Sequence, residues 1–255
     1  LVVSFLESLP PNTIGLDSGA GNGKYIPNAG PSRQVIALDR AQGLLDIAKT
    51  QKSDGAECLR GELGYTGWRK GVFDWAISVA AIHHLTTPGR RKESVQALIL
   101  PLVLQSKPPY SRFMIYVWAY EQGVGSKRKM GKAAEKKPEP ELEDKLAAME
   151  VSDTRSQEVK GKQEKVQDVL VPWVYTPAGQ GTEMAEKKVY HRYYHLFVKG
   201  ELEELVVEAA KEDGFEILDA QPLQSESSST DKWMRITGVG YEADNWWIQA
   251  EVGLR

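Results

Sequence analysis

A single cysteine, Cys58, stands in the 255 residues. One thiol excludes a disulfide within the chain and suits a reducing, intracellular setting. An excess of positive charge is also missing: 32 Lys and Arg face 35 Asp and Glu, a net −3, so the chain as a whole does not attract a polyanion. A nucleic-acid ligand would have to be held by a local patch or by a partner. Long apolar runs are lacking too, and none approaches the roughly 20 residues that a membrane-spanning helix needs. No membrane association is expected. The opening LVVSFLESLPP carries Glu7 and Pro10 and lacks the basic start of a secretory signal. The chain starts at Leu1 rather than Met, so further residues upstream are expected. The cytoplasm is the expected compartment, with the nucleus also open to it.

What is present is a globular composition, 41% hydrophobic and 26% charged. Short apolar runs at 13–17, 34–39, 56–59, 73–80 and 112–119 read as strands, several of them covered on both faces. Helical patterns separate them at 22–29, 41–51 and 89–104, the second with Leu44, Leu45, Ile47 and Ala48 turned inward. This alternation predicts an α/β fold with a mostly parallel sheet and helices on both faces. From about 121 to 167 the sequence turns charged and loses its aromatic residues. We read it as an insertion in a single domain spanning 1–255, with one short helix near 141–149. Its basic cluster of Lys127, Arg128, Lys129, Lys132, Lys136 and Lys137 reads on composition as a solvated loop. Order returns at VLVPWVYTP (169–177). GELEELVVEAAKEDGF (200–215) then predicts a helix ended by Gly214, and EILDAQPL, KWMRITGVG and NWWIQAEV supply the last strands.

The chemistry concentrates at GLDSGAGNGKY. Asp17, Gly19, Gly21 and Gly23 form D-x-G-x-G-x-G directly after the first strand, where glycine lets the backbone approach a ligand closely. Asp39 ends the second strand, where a carboxylate can grip ribose hydroxyls. The dinucleotide pattern G-x-G-x-x-G would put its third glycine at position 24, which is Lys24. Asp17 would also repel a pyrophosphate, whereas it suits a ligand carrying an ammonium and a sulfonium. Charge therefore favours S-adenosylmethionine.

His83 and His84 follow the fourth strand, at the sheet edge where open α/β folds bind ligands. Arg90 and Arg91 open the next helix, Trp118 and Tyr120 end the fifth strand, and His191, Arg192, Tyr193 and His195 lie in HRYYH. Such aromatic and cationic side chains suit stacking on a base and holding an anion, while packing alone also accounts for each of them. The paired histidines invite a metal hypothesis, but no H-E-x-x-H is present and Cys58 is the only thiol, so no metal site is expected.

The blocks GLDSGAGNGKY, FDWAISVAAIHHLTTPGRR, RFMIYVWAYEQG and HRYYHLFVKGELEELV together resemble the eukaryotic tRNA methyltransferases that esterify 5-carboxymethyluridine at the anticodon wobble position. The glycine motif is generic to the class I, S-adenosylmethionine-dependent superfamily; the other blocks are more specific. The resemblance covers roughly 11–122 and 168–250. It implies a seven-stranded, Rossmann-like class I fold and donor contacts from Asp17, Gly19, Gly21, Asn22, Gly23, Asp39, Glu62 and Ala80. It also implies a tRNA anticodon loop as substrate and a small zinc-binding activator subunit, forming a heterodimer along strand 56–60. In the family pattern Ser18 and Ala20 replace Val and Cys, and Glu62 replaces Asp.

A carboxylate is already ionised at neutral pH and needs no general base for methylation. We therefore expect His83, Arg91, Arg192 and His195 to act as clamps at the reacting group, with His84, Trp118 and Tyr193 against the substrate. Methylation of a small free carboxylic acid, and a non-catalytic scaffold, are the other classes that the sequence leaves open.

Overall fold

The computed structural model describes residues 1–50, 56–122, 166–175, 188–218 and 231–255. The apolar runs become the centre of a twisted sheet. β1 (Thr13–Ser18), β2 (Arg33–Asp39), β3 (Ala56–Arg60), β4 (Trp75–Val79) and β5 (Ser111–Trp118) lie parallel in the order β3-β2-β1-β4-β5. A later strand, β10 (Asn245–Leu254), runs antiparallel to β5; β9 (Lys232–Glu242) is antiparallel to β10, and β8 (Glu216–Leu218) is parallel to β9 at the edge. The class I arrangement is as expected, with eight strands in place of seven. The additional strand is the three-residue edge piece β8, and the rest of EILDAQPL falls outside the described residues. The turn between β9 and β10 has positive φ at Ala243 and Asp244, the two-residue geometry that matches strand twist.

Alternation along the strands feeds two cores. Val35, Ala37, Trp75, Ile77 and Met114 face α1 (Val2–Glu7) and α2 (Gln42–Thr50), meeting Phe5, Leu6 and Ala48. Ala76, Phe113, Ile115, Val117 and Ile248 face α3 (Pro88–Ile99) and α4 (Glu201–Glu212), meeting Val95, Leu98, Val206 and Ala209. Fully burying Phe113 and Phe197 contributes about 1.5–3 kcal/mol for each ring.

Two local expectations are corrected. In α2, Leu45 and Ala48 are buried but Leu44 and Ile47 are exposed, because the helix covers β2 and β3 with a narrow stripe only. After the glycine turn there is no α-helix over 22–29, only a one-turn 3-10 segment, Ile26–Ala29. Gly21, Gly23 and Pro27 leave too few residues able to hold helical backbone there.

HRYYH lies on a strand. β6 (Asp168–Tyr175) and β7 (Lys188–His195) form a separate antiparallel pair. Phe197 anchors β7 to the main sheet: its N–H donates to the Trp118 carbonyl at 3.0 Å, and its carbonyl accepts from Tyr120 N–H at 2.8 Å. The pair is thereby set beside the loop that follows β4. The body of the charged insertion at 121–167, with its basic cluster and the helix expected near 141–149, lies outside the described residues. Among those described, no helix is long and apolar enough to cross a membrane.

Candidate active site

A crevice of about 440 Å³ opens at the C-terminal ends of β1, β2 and β4. The turn after β1 forms its floor. Gly19 and Ala20 donate to the Leu38 carbonyl at 2.8 and 3.0 Å, folding the turn over the end of β2. Gly19 has φ +85, and a Cβ there would stand 2.3 Å from that of Ala81, so only glycine fits. Gly21 has φ +57, and a Cβ there would meet nothing within 4 Å; this face of the turn is open. Gly21 N–H donates to Asp39 Oδ2 at 2.9 Å and Ala41 N–H to Asp39 Oδ1 at 2.8 Å. Asp39 therefore ties the glycine turn to the loop after β2. Gly23 packs behind the turn against Ala48, and Asn22 is exposed outside the crevice lining.

Asp17 lies beneath this floor, 2% exposed. Its Oδ2 is buried and has no hydrogen-bond partner among the described residues. Burial, reinforced by the charge of Asp39, pushes its carboxyl up to about 7. A buried acidic oxygen without a donor, next to a second carboxylate, fits a cationic ligand and opposes a pyrophosphate. The missing helix acts in the same direction, because the row of N–H groups that favours phosphate at a helix start is absent here.

The crevice is lined by Gly19, Gly21, Asp39, Glu62 and Ala80, and also by His84, Arg192 and Tyr193. Ala80 has φ +54, a left-handed backbone rare outside glycine, and its N–H donates to the Tyr116 carbonyl at 2.8 Å. His84 Nδ1 is 3.0 Å from the Tyr193 carbonyl; since a carbonyl only accepts, this nitrogen carries the proton. Desolvation, and then the Arg192 charge, holds His84 below the usual imidazole range. Tyr193 O–H donates to Asp168 Oδ1 at 2.5 Å and reaches the Thr86 carbonyl at 3.3 Å.

Besides Asp17, Asn22 and Gly23, four more expected site residues lie outside the crevice lining. His83 is buried, its Nδ1 accepting from Trp118 N–H at 3.1 Å. Trp118 stacks on Tyr194 with ring centres 4.2 Å apart, so its face is already covered by protein. Arg91 is buried and donates to the Leu85 carbonyl at 2.9 Å. His195 is buried between two carboxylates, with Nδ1 2.7 Å from Asp168 and Nε2 2.6 Å from Glu201. Each is held by the fold where clamping would require reach. Against the desolvation that would raise them, hydrogen bonds hold both carboxyls below the ordinary range: Tyr193 and then His195 act on Asp168, and His195 and then Val198 N–H on Glu201. Among the described residues, no cluster of His, Cys, Asp or Glu is arranged to hold a metal ion.

The structure adds Arg40, Leu44, Leu63 and Arg90 to the lining. Helix spacing was a usable signal for Arg90: Arg91 lies four and seven residues before the buried Val95 and Leu98, so its neighbour must face outward.

Comparison with known proteins agrees with this arrangement. Residues 16–98 match the methyltransferase domain family. A tRNA (carboxymethyluridine(34)-5-O)-methyltransferase of Schizosaccharomyces pombe is 32% identical, over 98% of this chain and 86% of its own length. A Xenopus tropicalis protein with the same named activity is 33% identical over 78% of this chain, which corresponds to only 32% of that longer relative. The crystal structure of an S-adenosylmethionine-dependent methyltransferase from Clostridium acetobutylicum covers 99% of this chain and 88% of its own, with a TM-score of 0.56 at 9% identity, a likeness of fold.

Proposed function

This chain belongs to the family of tRNA (carboxymethyluridine(34)-5-O)-methyltransferases, and from that premise we propose how its crevice works. The protein is an S-adenosylmethionine-dependent methyltransferase that forms the methyl ester of 5-carboxymethyluridine at the tRNA wobble position. Asp39 and the open face of Gly21 would hold the donor's sugar, with Ala80 and Glu62 lining its seat. Asp17 is the counter-charge for its cationic end. Bound there, S-adenosylmethionine supplies a methyl group on a positively charged sulfur.

The remaining work is positional. Arg192 and His84 line the same crevice, and we assign them to the carboxymethyl group: the guanidinium by charge-assisted hydrogen bonds, the neutral imidazole by contact. Tyr193, locked to Asp168 and Thr86, fixes β7 so that Arg192 projects into the crevice. The acceptor oxygen is already ionised, and no residue has to remove a proton. Attack of an anion on a cation neutralises charge, so a site that aligns both and excludes water accelerates it. His83, Arg91 and His195 serve as the frame behind these contacts.

The activator subunit belongs in the same reading. β3 is the edge strand of the described sheet, and Leu59 on it and Ile47 on the adjoining α2 are exposed. An edge strand flanked by apolar side chains is a ready surface for strand addition. We place a small zinc-binding partner there, giving a heterodimer that works on cytoplasmic tRNA.

The observation that carries the reaction is one cavity lined both by Gly21 and Asp39 and by Arg192 and His84, the first pair assigned here to the donor and the second to the acceptor. Transfer of labelled methyl to tRNA bearing 5-carboxymethyluridine, released again by mild alkali, is the expected result. Label that moves only to a free carboxylic acid, or label resistant to alkali, would overturn it.

A further inference from the structure

The rim of the crevice is basic although the chain is not. Arg40 follows β2, Arg60 ends β3 and donates from Nε to the Arg40 carbonyl at 3.3 Å, and Arg90 lies in the first turn of α3. Arg40 Nη1 and Arg90 Nη2 each stand 3.9 Å from the same oxygen, Oε2 of Glu62. Two guanidinium groups carried by separate elements thus converge on one anionic oxygen at the mouth of the site.

We propose that Arg40 and Arg90 form a binding point for a phosphate of the RNA backbone, with Glu62 as the internal carboxylate that they exchange for it. The proposal rests on the tRNA reading above and names where the strand crosses the donor-side rim. Three observations carry it. Neither contact with Glu62 has the 2.7–2.9 Å length of a charge-assisted hydrogen bond, and the three side chains are 72%, 49% and 59% exposed for Arg40, Arg90 and Glu62. Such pairs add little to stability, so exchanging the carboxylate for a phosphate costs little. The point of convergence is also held in place, because Arg90 N–H bonds the Thr87 side chain and Arg91 is pinned beside it in the core. Finally, guanidinium is the side chain best matched to phosphate, and at net −3 only a local cluster can attract RNA. Arg192 keeps its assignment to the carboxymethyl group.

The test is affinity for an anticodon stem-loop RNA carrying 5-carboxymethyluridine, measured by fluorescence anisotropy over a range of KCl. R40Q and R90Q are each expected to weaken binding roughly 3- to 10-fold near 0.1 M salt and to reduce the slope of log K against log salt by about 0.7–0.9. E62Q is expected to tighten binding roughly threefold, a direction that misfolding cannot produce. Arg40 and Arg90 also line the crevice, so affinity for S-adenosylhomocysteine, read by calorimetry, is expected to fall in R40Q and R90Q, but by less than affinity for the RNA. Unchanged salt slopes, an E62Q that weakens RNA binding, or an equal loss of S-adenosylhomocysteine affinity would overturn the proposal. A wild-type protein that ignores this RNA overturns the tRNA reading itself, and that result is read without any variant.

Discussion

The backbone N–H of Gly21 donates to Oδ2 of Asp39 at 2.9 Å, so the carboxylate that we propose holds a ribose also shapes the turn that would receive it. Its other oxygen is taken by Ala41 N–H. An ionised carboxylate has about four acceptor positions, which leaves two for sugar hydroxyls. D39A should therefore lose more than ligand contacts: the turn loses its tether as well. We expect S-adenosylhomocysteine affinity to fall at least about 100-fold, with about 1–2 kcal/mol of stability lost. D39N, which keeps one acceptor, should fall between. Calorimetry and thermal melts on the same samples check both numbers.

Asp17 predicts a pH dependence of donor binding. Its carboxyl sits near 7 in the folded, ligand-free protein, and only the ionised form offers a counter-charge. Donor affinity should rise about tenfold between pH 6 and 8 and then level off. Stability should run the other way. The unfolded chain releases this proton near the ordinary aspartate value and the folded chain near 7, so folding takes up a proton between them. The ligand-free protein should lose stability as pH rises across that window and change no further above it. D17N should flatten both profiles and bind the donor poorly. A donor affinity that is flat across pH 6–8 in the wild type contradicts this account.

Adjacent or matched arginines should part ways. R192A removes a crevice group and is expected to reduce kcat/KM about 10²–10³-fold while leaving Tm within about 1 °C, since an exposed side chain contributes little to stability. R91A removes a buried donor to the Leu85 carbonyl and should cost about 1–3 kcal/mol of stability. Its loss of activity should track its loss of fold, and activity measured well below its Tm should recover much of the wild-type value. If R91A melts normally yet is inactive, Arg91 touches substrate after all.

His195 should behave as a frame residue. H195Q replaces the ring that bridges Asp168 and Glu201 by an amide whose only donor is one NH2 group, with Tyr193 still on Asp168 and Val198 N–H and Gln167 still on Glu201, and is expected to cost about 2 kcal/mol. That amounts to roughly 4–8 °C in Tm for a chain of this size. Donor affinity should be kept, because the change lies on the β7 side of the crevice. Both carboxyls lie below their ordinary range when folded, so the stability that they give is complete above the ordinary carboxylate range and is lost only as pH falls through their lowered values. The wild-type acid transition should therefore be displaced toward lower pH relative to H195Q.

The edge of β3 predicts a pair of separable effects. L59D and I47D should abolish co-purification with a zinc-binding activator and leave the affinity of the isolated chain for S-adenosylhomocysteine within about threefold, since exposed positions contribute little to the fold. Retained co-purification in both variants would move the partner elsewhere.

Much of the fold could be read from the sequence because its signals were local. The strands announced themselves as apolar runs bounded by glycine and proline, and the D-x-G-x-G-x-G turn with Asp39 pointed to the crevice that Gly19, Gly21 and Asp39 line. What failed were inferences that depended on direction. The sequence puts His83 and His84 at one strand end but does not say that His83 turns inward to Trp118 N–H while His84 turns out. For Arg90 and Arg91 the helical stripe through Val95 and Leu98 held the answer. The clamp between His195, Asp168 and Glu201 joins residues 27 and 6 apart through the pairing of β6 with β7, and no single-sequence pattern encodes that pairing. The helix expected over 22–29 came from reading a helical pattern there, although Gly23 and Pro27 stand inside it.

Ala80 holds a backbone conformation that costs an L-residue roughly 1–2 kcal/mol, at a place where glycine would be free of that cost. Ala80 also lines the crevice, in the part that we assign to the donor's seat. Exchanging Ala80 for glycine should relieve that main-chain tension and yield a sturdier protein with a roomier donor seat.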